Sequence, residues 1–465
     1  MHDDRLFPAD PTERSIARRL YGEIRDLPIV SPHGHTDPAW FAYDEPFPDP
    51  ARLLVIPDHY LLRMLYSQGI AMERLGVPRL DGAPVETDPR AIWRLVAEHW
   101  YLFRATPTRL WWEHSLEYVF GVTDRLTPVT ADAIYDRIAG CLARPEFRPR
   151  ALFERFRIEA LATTESPLDP LDHHEALKAS GWPGRVITTF RPDPVLDPDT
   201  PGFRANLDRL GEMTGEDTAT WTGYLAALAR RRRDFMGLGA TATDHGHPSA
   251  MTADLEPADA ARLFDTVASG TFTPAEAEIF RGQMLTEMAR MSMDDGLVMQ
   301  IHPGSHRGHN GLIQRTFGPN MGDDIPGRTD YVGALQPLLN RFGNERDFTL
   351  IVFTLDETAY GRELAPLAGH YPALRLGPAW WFFDSPDGMR RYREMTTETA
   401  GFCNTVGFND DTRAFPSIPA RHDVSRRVDC AYLARLVAEH RLDEDEAREV
   451  AHDLAYRLAK EAYRL

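Results

Sequence analysis

The chain is 465 residues long, 43% hydrophobic and 26% charged, with a formal net charge of −18. That length allows one large catalytic domain with insertions, or two or three smaller ones, of ordinary globular composition. The acidic balance argues against nucleic acid or an anionic membrane surface as partner, although a local cluster of arginines can still receive a small anion.

No apolar stretch approaches a membrane span, and the segment Met1–Arg5 has no signal-peptide pattern. Cys141, Cys403 and Cys430 are scattered and odd in number, forming neither a disulfide framework nor a zinc–thiolate cluster. A cytoplasmic location is expected. Lys178 and Lys460 are the only lysines, so the cationic residues are almost all arginine.

Eight short apolar or β-branched runs follow one another: Ile29–Val30, Ile158–Thr164, Arg185–Phe190, Gly237–Thr243, Leu297–Ile301, Phe348–Leu355, Ala373–Ala379 and Phe402–Phe408. Helical periodicity fills most of the gaps, as at Leu168–Ser180, Phe203–Met213, Ala275–Met291 and Asp330–Phe342. Eight strands alternating with helices predict an α/β fold, a (β/α)8 barrel of the TIM type. A mostly helical, tryptophan-rich insertion after the first strand distorts it. The expected division is 1–39 for an N-terminal helix and the first strand, 40–150 for the insertion, 151–429 for the rest of the barrel, and 430–465 for C-terminal helices packed on it. Arg230–Arg233 reads as a solvated helix face.

A barrel places its chemistry at the C-terminal ends of its strands. The first run ends in His33-Gly34-His35, the second in Thr163-Thr164-Glu165, the third in Arg191, and the fourth in Asp244-His245. The fifth ends in His302, the seventh runs into Trp380-Trp381, and the eighth ends in Asp410-Asp411. Residues i and i+2 of an extended segment share a face, so His33 and His35 can converge on one ion. When the barrel closes, the last strand lies beside the first. Asp411, with Asp410 as the neighbouring alternative, then completes a mononuclear site with open positions.

His302 is a further candidate as ligand, base or hydrogen-bond donor. In the second H-x-H, Asp244-His245-Gly246-His247, strand position favours Asp244. His306 and His309 are read as surface or supporting residues. Arg191, Arg307 and Arg413 fall in the same set of loops, and their guanidinium forks match a carboxylate substrate.

These residues bear a resemblance to the uronate isomerases of the amidohydrolase superfamily. Pro57-Asp58-His59-Tyr60-Leu61-Leu62-Arg63 resembles that family's D-H-Y-x-x-R, Thr163–Pro167 its T-T-D-D-P, and Thr189–Asp193 its F-R-P-D. Asp244-His245-Gly246 matches D-H-G, His302–Arg307 is similar to H-x-G-x-x-R, and Ala379–Phe382 to A-W-W-F. Asp411–Phe415 followed by Arg421-His422-Asp423 resembles D-S-R-S-F…R-H-E. Glu165 departs from the pattern, as do the residues around His35-Thr36 and the loop His306–Asn310.

The resemblance implies an aldose–ketose isomerase that interconverts a hexuronate, such as glucuronate or galacturonate, with its ketouronate through an enediol. It implies one divalent metal of zinc type on His33, His35 and Asp411. His59, Tyr60, Asp244, His302 and Arg413 would act on or orient the sugar, Arg191, Arg307 and Trp380 would bind it, and Tyr60 and Asp411 would form the proton-transfer pair.

The rival reading is a mononuclear metal-dependent hydrolase (amidase, lactonase or deaminase) on the same barrel. A binuclear site bridged by a carboxylated lysine is disfavoured, because neither lysine falls at a strand end. A non-enzymatic sugar-acid binder is a third, weaker reading. The expected partner is a small sugar acid, with no nucleic acid or membrane; assembly into a homo-oligomer is left open.

Overall fold

A computed structural model describes residues 1–465. Seven parallel strands are hydrogen-bonded in the order β1 (Ile29–Ser31), β2 (Ile158–Glu165), β3 (Val186–Phe190), β4 (Ala242–His245), β5 (Val298–Ile301), β8 (Leu350–Val352) and β9 (Leu374–Leu376). A separate hairpin, β6 (Ser305–His306) with β7 (Ile325–Pro326), stands in the loop after β5. The barrel strands are largely buried, which is why they read as short apolar runs and not as alternating ones.

The eighth stave is the irregular one. Phe402–Phe408, expected as a strand, pairs with β9 only at Thr405, where Leu376 N donates to Asn404 O and Val406 N to Leu376 O. Gly407 then turns the chain at φ 72°, where a Cβ would lie 2.8 Å from the carbonyl oxygen of Leu454. Glycine is required there. His35 N donates to Thr412 O at 3.1 Å, so the ends of the first and last staves meet. The fold is a distorted (β/α)8 barrel.

Two other expectations change. The sequence pattern puts the fourth strand at Gly237–Thr243, but the helix Trp221–Gly237 occupies its start. Gly239 (φ 95°) makes the turn, and the strand is Ala242–His245. Asp244 and His245 are therefore on the strand itself. Arg230–Arg233 is not a solvated face, since Arg231 and Arg232 are buried and Arg232 donates from Nε and Nη2 to both oxygens of Asp295.

Residues 40–150 form helices around a second apolar cluster containing Trp93, Trp100 and Trp112. Several start with an N-capping acid or threonine followed by proline (Asp37-Pro38, Asp49-Pro50, Asp88-Pro89, Thr106-Pro107), the proline presetting the helical φ. The buried helix Ile418–Ala438 carries Cys430 in its interior and packs on the helix Pro11–Ile24. No helix is long and apolar enough to cross a membrane.

Candidate active site

A cavity of about 690 Å³ opens at the C-terminal ends of the strands. Of the site residues expected from sequence, His33, His35, His59, Tyr60, Arg191, His302, Arg307, Trp380, Asp411 and Arg413 all line it. Asp244, fully buried, lies behind the wall.

His33 and His35 leave β1 with their rings 5.4 Å apart and nearly perpendicular. Thr164 Oγ1 donates to the carbonyl of Gly34 between them. Across the closure, Asp411 Oδ1 lies 3.5 Å from His33 Nε2 and 3.3 Å from His35 Nε2. Ligands about 2.0–2.2 Å from one tetrahedral ion sit roughly 3.3–3.5 Å apart, so both Asp411 separations are those of donors sharing one cation, and all three donor atoms lie within 4.8 Å of one another. The other oxygen of Asp411 accepts from the indole Nε1 of Trp380. Asp411 also has φ 39°, a left-handed backbone that costs a non-glycine residue about 1 kcal/mol or more. Its carboxylate is thus held by backbone strain and by an indole.

Burial opposes ionisation of Asp411, but His33 and His35 hold its carboxyl well below the usual range. Burial pushes His35 down to about 4, leaving a neutral imidazole with a lone pair to offer. Asp410, the neighbouring alternative, turns away to His422 Nε2 at 3.1 Å.

Behind this trio, Asp244 Oδ1 lies 2.9 Å from His302 Nε2 and 3.8 Å from His33 Nδ1, and Oδ2 lies 3.4 Å from Arg191 Nη1. Burial acts against it, yet His302, His33 and Arg191 keep Asp244 ionised. Neither oxygen makes a hydrogen bond of good geometry, and His33 Nδ1 has no partner.

The insertion supplies the opposite wall. Asp58 caps the helix His59–Tyr66 by accepting from Tyr60 N and Leu61 N, and accepts from Trp112 Nε1. This fixes His59 and Tyr60 at the cavity, with the His59 ring stacked on Tyr60 and edge-on to Trp381. Burial and the charge of Arg413 push His59 down to about 3, so it is neutral.

The Tyr60 hydroxyl donates to Asp384, with Oδ1 and Oδ2 at 3.0 and 2.9 Å. Arg421 Nη1 donates to the same carboxylate at 2.9 Å, its guanidinium 3.7 Å over the Trp111 ring. Burial, then Asp384, raises the Tyr60 phenol well above its ordinary value. Sequence reasoning missed Asp384; its available signal was a carboxylate just past the seventh strand, after Trp380-Trp381.

Arg191 Nε is held by Asp193 at 2.9 Å, and Arg307 by Asp324 at 3.3 Å. Burial and the other two guanidiniums bear down on Arg413, while Arg191 does the same to Arg307. Arg191 and Arg307 have carboxylate partners whereas Arg413 makes no ion pair, so the cavity keeps a cationic corner that suits an anion. Glu165 is not at the cavity; it accepts from Thr188 Oγ1 within the sheet. His306 and His309 are exposed, and Lys178 and Lys460 pair elsewhere, with Gly237 O and Glu159.

A model of the glucuronate isomerase family matches residues 11–463. The chain is similar to a uronate isomerase of Rhizorhabdus wittichii, 67% identical over 100% of this chain and 98% of that protein. Among solved structures it is similar to a glucuronate isomerase from Caulobacter crescentus, with a TM-score of 0.98 at 58% identity, covering 100% of this chain and 97% of that one. A uronate isomerase from Thermotoga maritima matches with a TM-score of 0.92 at 27% identity, covering 100% and 99%.

Proposed function

The chain belongs to the glucuronate isomerase family, and on that footing we propose that it converts a hexuronate such as glucuronate or galacturonate into its ketouronate. The observation that carries this reading is the pairing of one ionised carboxylate, Asp411, with three arginines around a single cavity. Arg191 and Arg307 take the substrate carboxylate. Asp244, ionised behind the cavity wall, holds His302 and Arg191 towards the substrate, and His302 and Trp380 orient the ring-opened chain. A divalent cation on His33, His35 and Asp411, for which this donor set favours zinc, would polarise the substrate oxygens and offset enediolate charge.

Asp411 and Tyr60 form the proton-transfer pair. One removes the proton from C2, giving an enediol; a proton returns to C1, and the O2 proton passes to O1, so the isomer leaves with no net change in atoms or electrons. Tyr60 is held in place by Asp384, and burial with that carboxylate keeps its phenol protonated. Arg413 faces the developing negative charge, and His59, neutral, serves as a hydrogen-bond partner. We also propose that residues 40–150 act as an insertion whose task is to present His59 and Tyr60. The three cysteines are unpaired, which supports a reducing cytoplasmic setting.

Incubation with glucuronate and galacturonate, beside a panel of lactones and amides, followed by NMR, tests the reading. Ketouronate formation is expected. Turnover of the lactones or amides with silence towards every uronate would replace isomerisation with hydrolysis.

A further inference from the structure

The second H-x-H of the chain, His245-Gly246-His247, takes no part in the proposed chemistry. Successive strand side chains alternate, so Asp244 points towards His33, His302 and Arg191 while Thr243 and His245 share the opposite face. There His245 Nε2 lies 3.0 Å from Thr243 Oγ1, which leaves Nδ1 free. His247 follows at once, its ring 6.1 Å from that of His245. His247 is 3% exposed and His245 1%, yet both nitrogens of His247 and Nδ1 of His245 have no hydrogen-bond partner.

The third member is Asp193, after β3. One donor atom from each of Asp193, His245 and His247 lies within 4.8 Å of the others. Gly246 makes the convergence feasible: its N–H donates to both oxygens of Asp193, and a Cβ there would meet Arg191 Nη2 at 2.6 Å, His302 Cε1 at 2.7 Å and Asp193 Oδ2 at 2.9 Å.

We propose that Asp193, His245 and His247 form a second divalent-metal site, separate from His33, His35 and Asp411 and not bridged to it. The ligand is a borderline cation of the zinc type, which two imidazoles and one carboxylate suit. Thr243 is the outer partner that orients His245, as ligating imidazoles generally require. Asp193 also accepts from Arg191 Nε, so a cation seated here fixes the carboxylate that aims a substrate-binding guanidinium.

The test is a metal count that does not depend on turnover. Chelator-stripped protein is equilibrated with zinc, freed of excess, and its metal measured by mass spectrometry. The wild type should hold about two ions per chain, and a His33→Ala/His35→Ala variant about one. Both His245→Ala and His247→Ala should also fall to about one, and cobalt added to the His33→Ala/His35→Ala chain should give d–d absorption that a further His247→Ala change abolishes. His247→Gln, closer in size, replaces His247→Ala if circular dichroism shows misfolding. A wild type holding one ion that His33→Ala/His35→Ala removes completely, or a His247 variant that keeps the wild-type count, overturns the proposal.

Discussion

Individual residues carry their roles through neighbours that local sequence does not reveal. Glu165 illustrates this. Burial raises its carboxyl to about 7, against hydrogen bonds from Thr163 and Thr188, and Asp169 adds to the effect. In the unfolded chain the same group ionises near 4.5, so unfolding releases a proton between these values and stability falls as pH rises through that window. The loss is complete above about pH 7 and amounts to roughly 2–4 kcal/mol. Glu165→Gln should therefore raise the melting temperature over wild type at pH 8 and leave it nearly unchanged at pH 5, as thermal scans would show.

His33, His35 and Asp411 were legible because a barrel must bring its first and last strand ends together. Asp384 was not, because its partner Tyr60 lies 324 residues away and nothing in either segment names the other. Asp193 was read only as part of a motif, although it both holds Arg191 and faces two histidines.

At the scale of elements, hydrophobic period located the strands but not their ends. Gly237–Thr243 looked like a strand because its apolar and β-branched residues suit one. The helix Trp221–Gly237 claims the first residue, and the positive φ of Gly239 ends that path. The arginine run failed for a related reason: four successive residues span more than one turn of helix, so some must turn inward.

Inward charges are paired, and the helix Ile418–Ala438 shows how much depends on it. Arg393 Nε and Nη2 donate to Asp429 Oδ1 and Oδ2 at 2.7 and 3.1 Å, with both side chains buried. Asp429→Ala should destabilise the protein by about 3–5 kcal/mol because it strands a buried guanidinium, whereas replacing both residues with apolar ones of similar volume should cost far less. Denaturant melts of the single and double variants check this.

For the whole molecule, the alternation of strands and helices was enough to name the barrel, since few architectures accommodate eight such units. The weak eighth stave is not legible locally, because its single bridge at Thr405 is followed by a turn at Gly407 that packs against Leu454, 47 residues further on. The same closure sets Asp411 between two imidazoles and under Trp380, so fold and site depend on one seam.

The most direct test follows the reaction at that seam. Wild type and a folded Asp411→Asn variant are given the preferred uronate in deuterium oxide, and ketouronate is followed by NMR. Wild type should form ketouronate with solvent deuterium at C1, and the variant should be slower by about 10²-fold or more, the scale of a lost general acid or base. An Asp411→Asn chain that makes ketouronate at the wild-type rate would contradict the account.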